Sequence, residues 1–143
     1  MRLYVAGPMS GIPHFNIPLF DQVATTLRLM GHEVINPAEE DPPPVRAAAL
    51  ASAYGDPADL LPTGSTHGDL LARDVKLIAD GIDGIVLLAN WWKSKGACLE
   101  AFTALTYGKP LFRLRVIGDI GVELCERTAT ERDRLMERLR EIV

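Results

Sequence analysis

Only two cysteines occur in the 143-residue chain, Cys98 and Cys125, without paired spacing and without a histidine beside either in a ligand pattern. That excludes a disulfide scaffold, and both are expected as reduced thiols within helices. The three histidines, His14, His32 and His67, are too scattered for a metal site, and neither a metal nor a cofactor is expected. A basic surplus is missing as well. The formal charge is −4 and the pI about 5.3, which excludes a general binder of polymeric nucleic acid, since that needs a basic face against the phosphates. A small anionic ligand stays open. No apolar run is long enough to span a membrane, and no leader-like apolar stretch precedes the first predicted strand, so a soluble, cytoplasmic protein without a membrane partner is expected. Internal repeats are lacking too, and nothing points to a second domain. Residues 1–143 are read as one domain, long enough to bury a core unaided.

What is present is organised around residues 84–102. Five apolar residues, 85–89, suit a strand covered on both faces, and a polar, aromatic and basic loop follows at once. After Gly96 the spacing turns helical, with Leu99, Phe102 and Leu105 on one stripe. Open parallel sheets bind ligands beyond the carboxyl ends of their strands, where loops and helix N-termini converge. Glu100 is placed in the first turn of the predicted helix. There it either stabilises the helix dipole or serves a site.

Elsewhere, strands are predicted at 3–6, 32–36 and 111–114, and helices from Pro18 to about residue 30, from about 69 to 80, and over 97–107. A C-terminal amphipathic helix is expected at about 130–142, with Thr130 as its cap and Leu135, Leu139 and Ile142 on one face. Asp69 is a candidate cap for its helix. Residues 39–68 form a proline-rich insertion with a possible short helix over 45–54, readable as a lid, an oligomer contact or an irregular excursion. Asp74 falls on the apolar edge of its helix. It therefore needs a partner or a cavity, or else is a rim carboxylate paired with Arg73 or Lys76.

Alternating strands and helices predict the α/β class: a Rossmann or flavodoxin-like doubly wound parallel sheet with helices on both faces. In that strand order the first and third strands are neighbours. Gly7, Pro8, Met9, Ser10 and Gly11 then face Asn90, Trp91, Trp92, Ser94 and Gly96 across one crevice. Asn16, later in the same first loop, joins the candidate binding residues. Glu100 lies on the floor, Asp74 arrives from the preceding helix, and Tyr4 is within reach of Glu100. The two tryptophans offer flat surfaces for stacking on a base, or else belong to a core or interface. Ser94, with Lys93 and Lys95 beside it, offers donors and charge to an anion.

At these residues the chain resembles the nucleoside 2-deoxyribosyltransferase superfamily, most nearly its short bacterial and phage branch. The resemblance rests on residues 4–11, 36–39, Arg73 with Asp74, and 94–100. It covers roughly 3–112, with 40–68 outside it. It implies cleavage of the N-glycosidic bond of a deoxynucleoside or, in the N-hydrolase branch, of a nucleoside 5′-monophosphate. By the same resemblance Glu100 is the nucleophile, Asp74 the partner carboxylate, Tyr4 the residue orienting Glu100, and Ser94 a 5′-phosphate contact. Transferases carry an acidic residue near the position of Ser94; the serine flanked by lysines shifts weight to a phosphate. Homo-oligomers, dimers or larger, are also implied. Other readings remain beside it: a nucleotide-binding or sensing module without turnover, an enzyme using Cys98 as nucleophile, or an assembly role for Trp91, Trp92 and the insertion.

Overall fold

The computed structural model describes residues 1–119 and 121–142, without the side chain of residue 142, so the expectation for Ile142 lies outside the described residues. Its centre is a five-stranded sheet, mostly parallel, in the order β2-β1-β3-β4-β5. These strands are β1 (Arg2–Ala6), β2 (Glu33–Ile35), β3 (Gly84–Leu87), β4 (Leu111–Ile117) and β5 (Gly121–Glu126). β1 pairs in parallel with both β2 and β3, and β3 pairs in parallel with β4. The alternation of side chains along β1 and β3 divides the core in two. Tyr4, Ala6, Ile85 and Leu87 pack against α4 (His67–Gly81), α5 (Lys95–Thr106) and Leu139 of α6 (Ala129–Ile142). Leu3, Val5, Val86 and Leu88 pack against Phe20, Val23, Ala24 and Leu27 of α1 (Ile17–Leu29). All four residues of β3 are buried, as their unbroken apolar run requires.

The structure departs from the expected all-parallel sheet at its edge. β5 runs antiparallel to β4, from Phe112 opposite Glu126 to Ile117 opposite Gly121. Gly118, at φ 60°, starts the reversal. Cys125 is therefore on a strand and not on a helix. Two caps also move. Thr66 caps α4 and Asp69 reciprocates as its third residue, while Thr128 and Glu131, in place of the expected Thr130 cap, exchange the equivalent bonds ahead of α6.

The insertion is folded. It follows β2 as α2 (Pro37–Glu40), α3 (Pro43–Ala51) and a 3₁₀ segment, Pro57–Thr63. Arg46 ties α3 to Asp21 on α1 at 2.7 Å, and the backbone N–H groups of Gly11 and His14 donate to the Gly55 and Ser52 carbonyls at 2.9 and 2.8 Å. Gly55 sits at φ +68°, where a Cβ would lie 2.1 Å from the Ile12 carbonyl oxygen. Gly55→Ala is thus expected to cost on the order of 2–4 kcal/mol, since it strains the backbone and pushes the insertion off the first loop. A thermal melt unchanged from wild type would show that this seam does not hold the insertion.

Candidate active site

β1 and β3 end side by side, with the Leu88 N–H donating to the Ala6 carbonyl at 2.8 Å. Gly7 turns the chain there, pressed so close that a Cβ would meet that of Leu88 at 2.8 Å. The loop that follows is strained: His14, Phe15 and Asn16 are all left-handed, at φ 56°, 52° and 60°. Asn16 repays part of this by donating from Nδ2 to the Pro8 carbonyl at 2.9 Å, which fixes the loop's shape. The Phe15 ring is buried beneath it.

On the β3 side, Asn90 is left-handed and Ser94 caps α5, its Oγ accepting from the Ala97 N–H at 3.2 Å. With α5 starting at Lys95, Glu100 falls in the second turn, beyond the first-turn position expected for it, and it is only 7% exposed. A dipole role on the surface is thereby removed, because that effect fades within the first turn. Instead the Tyr4 hydroxyl, buried on β1, donates to Glu100 Oε1 at 3.0 Å. Ninety-six residues of sequence separate the two; the β1–β3 pairing brings them together.

Asp74 is also buried, and its partner is Arg73: Nε and Nη2 donate to Asp74 Oδ1 at 2.9 and 2.7 Å. Lys76 pairs with Asp80 and takes no part. The same guanidinium donates from Nη1 to Asp41 Oδ1 at 2.8 Å, so Arg73 links the site to the start of the insertion.

Glu100, Asp74, Ser94 and Gly96 line one cavity of about 330 Å³ together with Gly7, Met9 and Ser10. A neighbouring cavity of about 500 Å³ is lined by Pro8, Asn90, Lys93 and Lys95, and it shares Ser10, His67, Ser94 and Gly96 with the first. Tyr4 lies behind Glu100. Gly11 and Asn16 hold the loop without lining either cavity. Trp91 is a core residue and Trp92 is 51% exposed, set edge-on to it at 86°; neither lines a cavity. Residue-level reading named Arg73 only as a partner for Asp74 and left the insertion open among a lid, an oligomer contact and an irregular excursion; residues of both line the first cavity.

Burial pushes Glu100 up to about 8, and the charge of Asp74 pushes the same way against the Tyr4 hydrogen bond and Arg73. Asp74 is also raised by burial, opposed by its bonds to Arg73. Tyr4 is pushed up by burial and by Glu100. With its value at about 8, Glu100 keeps its proton at neutral pH. Burial likewise raises the Cys98 thiol, which suits a packed residue more than a nucleophile.

The family model described as "Domain of unknown function (DUF4406)" matches residues 1–113. The chain belongs to this family. No curated protein matches it. The DUF4406 match takes in β1, the insertion, α4, β3 and α5, hence every residue of the two carboxylate networks, and stops inside β4. No helix among the described residues is long and apolar enough to cross a membrane.

Proposed function

We propose that the protein cleaves the N-glycosidic bond of a nucleoside or deoxynucleoside 5′-monophosphate, with Glu100 as nucleophile. The observation that carries this reading is the buried Glu100 carboxyl, oriented by the Tyr4 hydroxyl at 3.0 Å and facing a cavity that also holds Asp74. Two carboxyl groups at one cavity are what glycosidic cleavage through a covalent intermediate requires. Glu100 forms a bond to C1′ as the bond to the base nitrogen breaks, and the base leaves with that electron pair and a proton handled by Asp74. Water then attacks C1′, giving its proton to Asp74 and releasing Glu100. The likeness of residues 4–11, 73–74 and 94–100 to the nucleoside 2-deoxyribosyltransferase superfamily supports the same roles. So does the strand order, which is that of flavodoxin-like doubly wound sheets apart from the reversed edge strand.

Support for a 5′-phosphate comes from the adjoining second cavity, where Lys93, Lys95 and the Ser94 hydroxyl meet the N-terminus of α5. A cytoplasmic homo-oligomer accompanies this reading, on the strength of the resemblance. The test is chromatographic. Purified protein incubated with nucleosides and their 5′-monophosphates is expected to release free base from the monophosphates without an acceptor. Exchange only in the presence of a second base would mean a deoxyribosyltransferase. A second reading, a nucleotide-binding module without turnover, is favoured by the proton that Glu100 keeps near neutrality. Its signature would be a raised melting temperature with no base released.

Tyr4→Phe separates orientation from packing. The Tyr4 bond is one of the influences holding Glu100 down, so its loss is expected to move the midpoint of the kcat/KM profile to higher pH and to lower kcat about 10- to 100-fold. An unmoved profile would show that Tyr4 only fills space.

A further inference from the structure

The two cavities meet at Ser10, His67, Ser94 and Gly96, and the rest of their linings differ in charge. The first cavity sets Asp41, Asp74 and Glu100 around the single guanidinium of Arg73. The second brings Lys93 and Lys95 and, among the described residues, no carboxyl group. An anion is therefore drawn to the second cavity and kept out of the first, and the residues at the junction are those that meet it.

α4 and α5 reach this junction in the same way. His67 is the first residue of α4, and Ser94 is the N-cap of α5. Along α4, His67, Leu70, Leu71 and Asp74 follow at intervals of three and four and line the first cavity from one face, which puts His67 about 10 Å from Asp74 along the axis. Glu100 lies about 9 Å beyond Ser94 by the same rise per residue. A ligand lying along the two helices then has its anion at their first turns and its reacting carbon at the carboxyl groups, as a 5′-phosphate and C1′ stand at opposite ends of one sugar.

The His67 ring is exposed and takes no hydrogen bond, because Thr66 and Asp69 make the cap of α4 between themselves at 3.1 and 3.3 Å. Ser94 Oγ is already engaged with the Ala97 N–H at 3.2 Å. Lys93 and Lys95 are exposed ends of long side chains, whose attraction salt screens. An imidazole keeps at least one N–H to donate whichever form it takes.

We infer that His67 is a specificity-determining residue, whose ring donates to the phosphate of a nucleoside 5′-monophosphate from the α4 side, with Ser94 on α5 as its counterpart, and so favours nucleotides over unphosphorylated nucleosides. The inference rests on the N-glycosidase reading for the placement of the sugar at Glu100. It also gives the end of the insertion a role, since His67 closes residues 39–68 onto the site.

Calorimetric titration of the full chain with the four common deoxynucleoside 5′-monophosphates and their nucleosides tests this. His67→Ala is expected to melt as the wild type does, to bind the best monophosphate about ten- to a hundredfold more weakly, and to bind nucleosides as before. His67→Gln, which keeps an N–H donor, is expected to recover part of the loss. In turnover the loss is expected in KM more than in kcat. Unchanged monophosphate affinity in His67→Ala would overturn the inference, as would an equal loss for monophosphate and nucleoside, or no nucleotide binding by the wild type. Base release scored in the same samples keeps the two readings apart. A monophosphate preference that depends on His67, without release, upholds His67 and overturns catalysis; release from monophosphates with wild-type KM in His67→Ala does the reverse.

Discussion

Glu100→Gln is expected to lower base release by at least about a thousandfold while leaving the fold and nucleotide binding in place. The amide is isosteric with the carboxyl, and its oxygen still accepts from the Tyr4 hydroxyl, so the buried hydrogen bond at 3.0 Å survives. What is lost is the negative charge that attacks C1′ and stabilises an oxocarbenium-like sugar. Chromatography of the freed base, with a melt and a calorimetric titration of the same variant, separates these effects. Wild-type turnover in Glu100→Gln would sink the assignment of the nucleophile. Lost turnover together with lost ligand binding would mean that Glu100 holds substrate and does not attack it.

The parts of the fold that were legible are those written in one element's own pattern. The all-apolar β3 and the Leu99, Phe102 and Leu105 stripe of α5 state their period directly, and pairing β1 with β3 then predicts where the loops meet. The hairpin of β4 and β5 escaped because its faces are half exposed. Arg113 and Arg115 alternate with apolar neighbours, and a charged antiparallel edge lacks the apolar run used to find buried strands. Trp91 misled for a related reason: its side chain suits a ligand rim as well as a core, and only tertiary packing puts it inside. Asp74 was found as a carboxylate on the apolar edge of its helix, and Glu100 by its place near the start of the helix that follows β3. Arg73 was named as a candidate partner of Asp74, but its second attachment, to Asp41 thirty-two residues earlier, depends on how the insertion folds back. No local pattern encodes that return, nor the mixed wall it builds.

Stability is expected to fall as pH rises from about 5 to about 8, and Glu100→Gln is expected to flatten much of that slope. The ordinary carboxyl value for Glu100 is 4.5, and in the folded chain it is pushed up to about 8. Between those values the native state keeps a proton that the unfolded chain has released, so ∂ΔG/∂pH for unfolding is negative across the window. The contribution is complete below about pH 4.5 and gone by about pH 8, and its size is on the order of 5 kcal/mol. Asp74, also raised, slopes in the same sense at the acid end, and this part persists in the variant. Melting temperatures of both proteins at pH 5, 6.5, 8 and 9 check this. Parallel curves would mean that Glu100 is not protonated in the folded chain. Activity has the opposite sign. A nucleophilic carboxylate must be ionised, so the acid limb of the kcat/KM profile is expected to follow Glu100 and to rise with pH across the window in which the protein loses this share of its stability. The charge proposed for the chemistry is the one that burial and Asp74 disfavour; the positive charge developing at C1′ is what would hold it in place during the reaction.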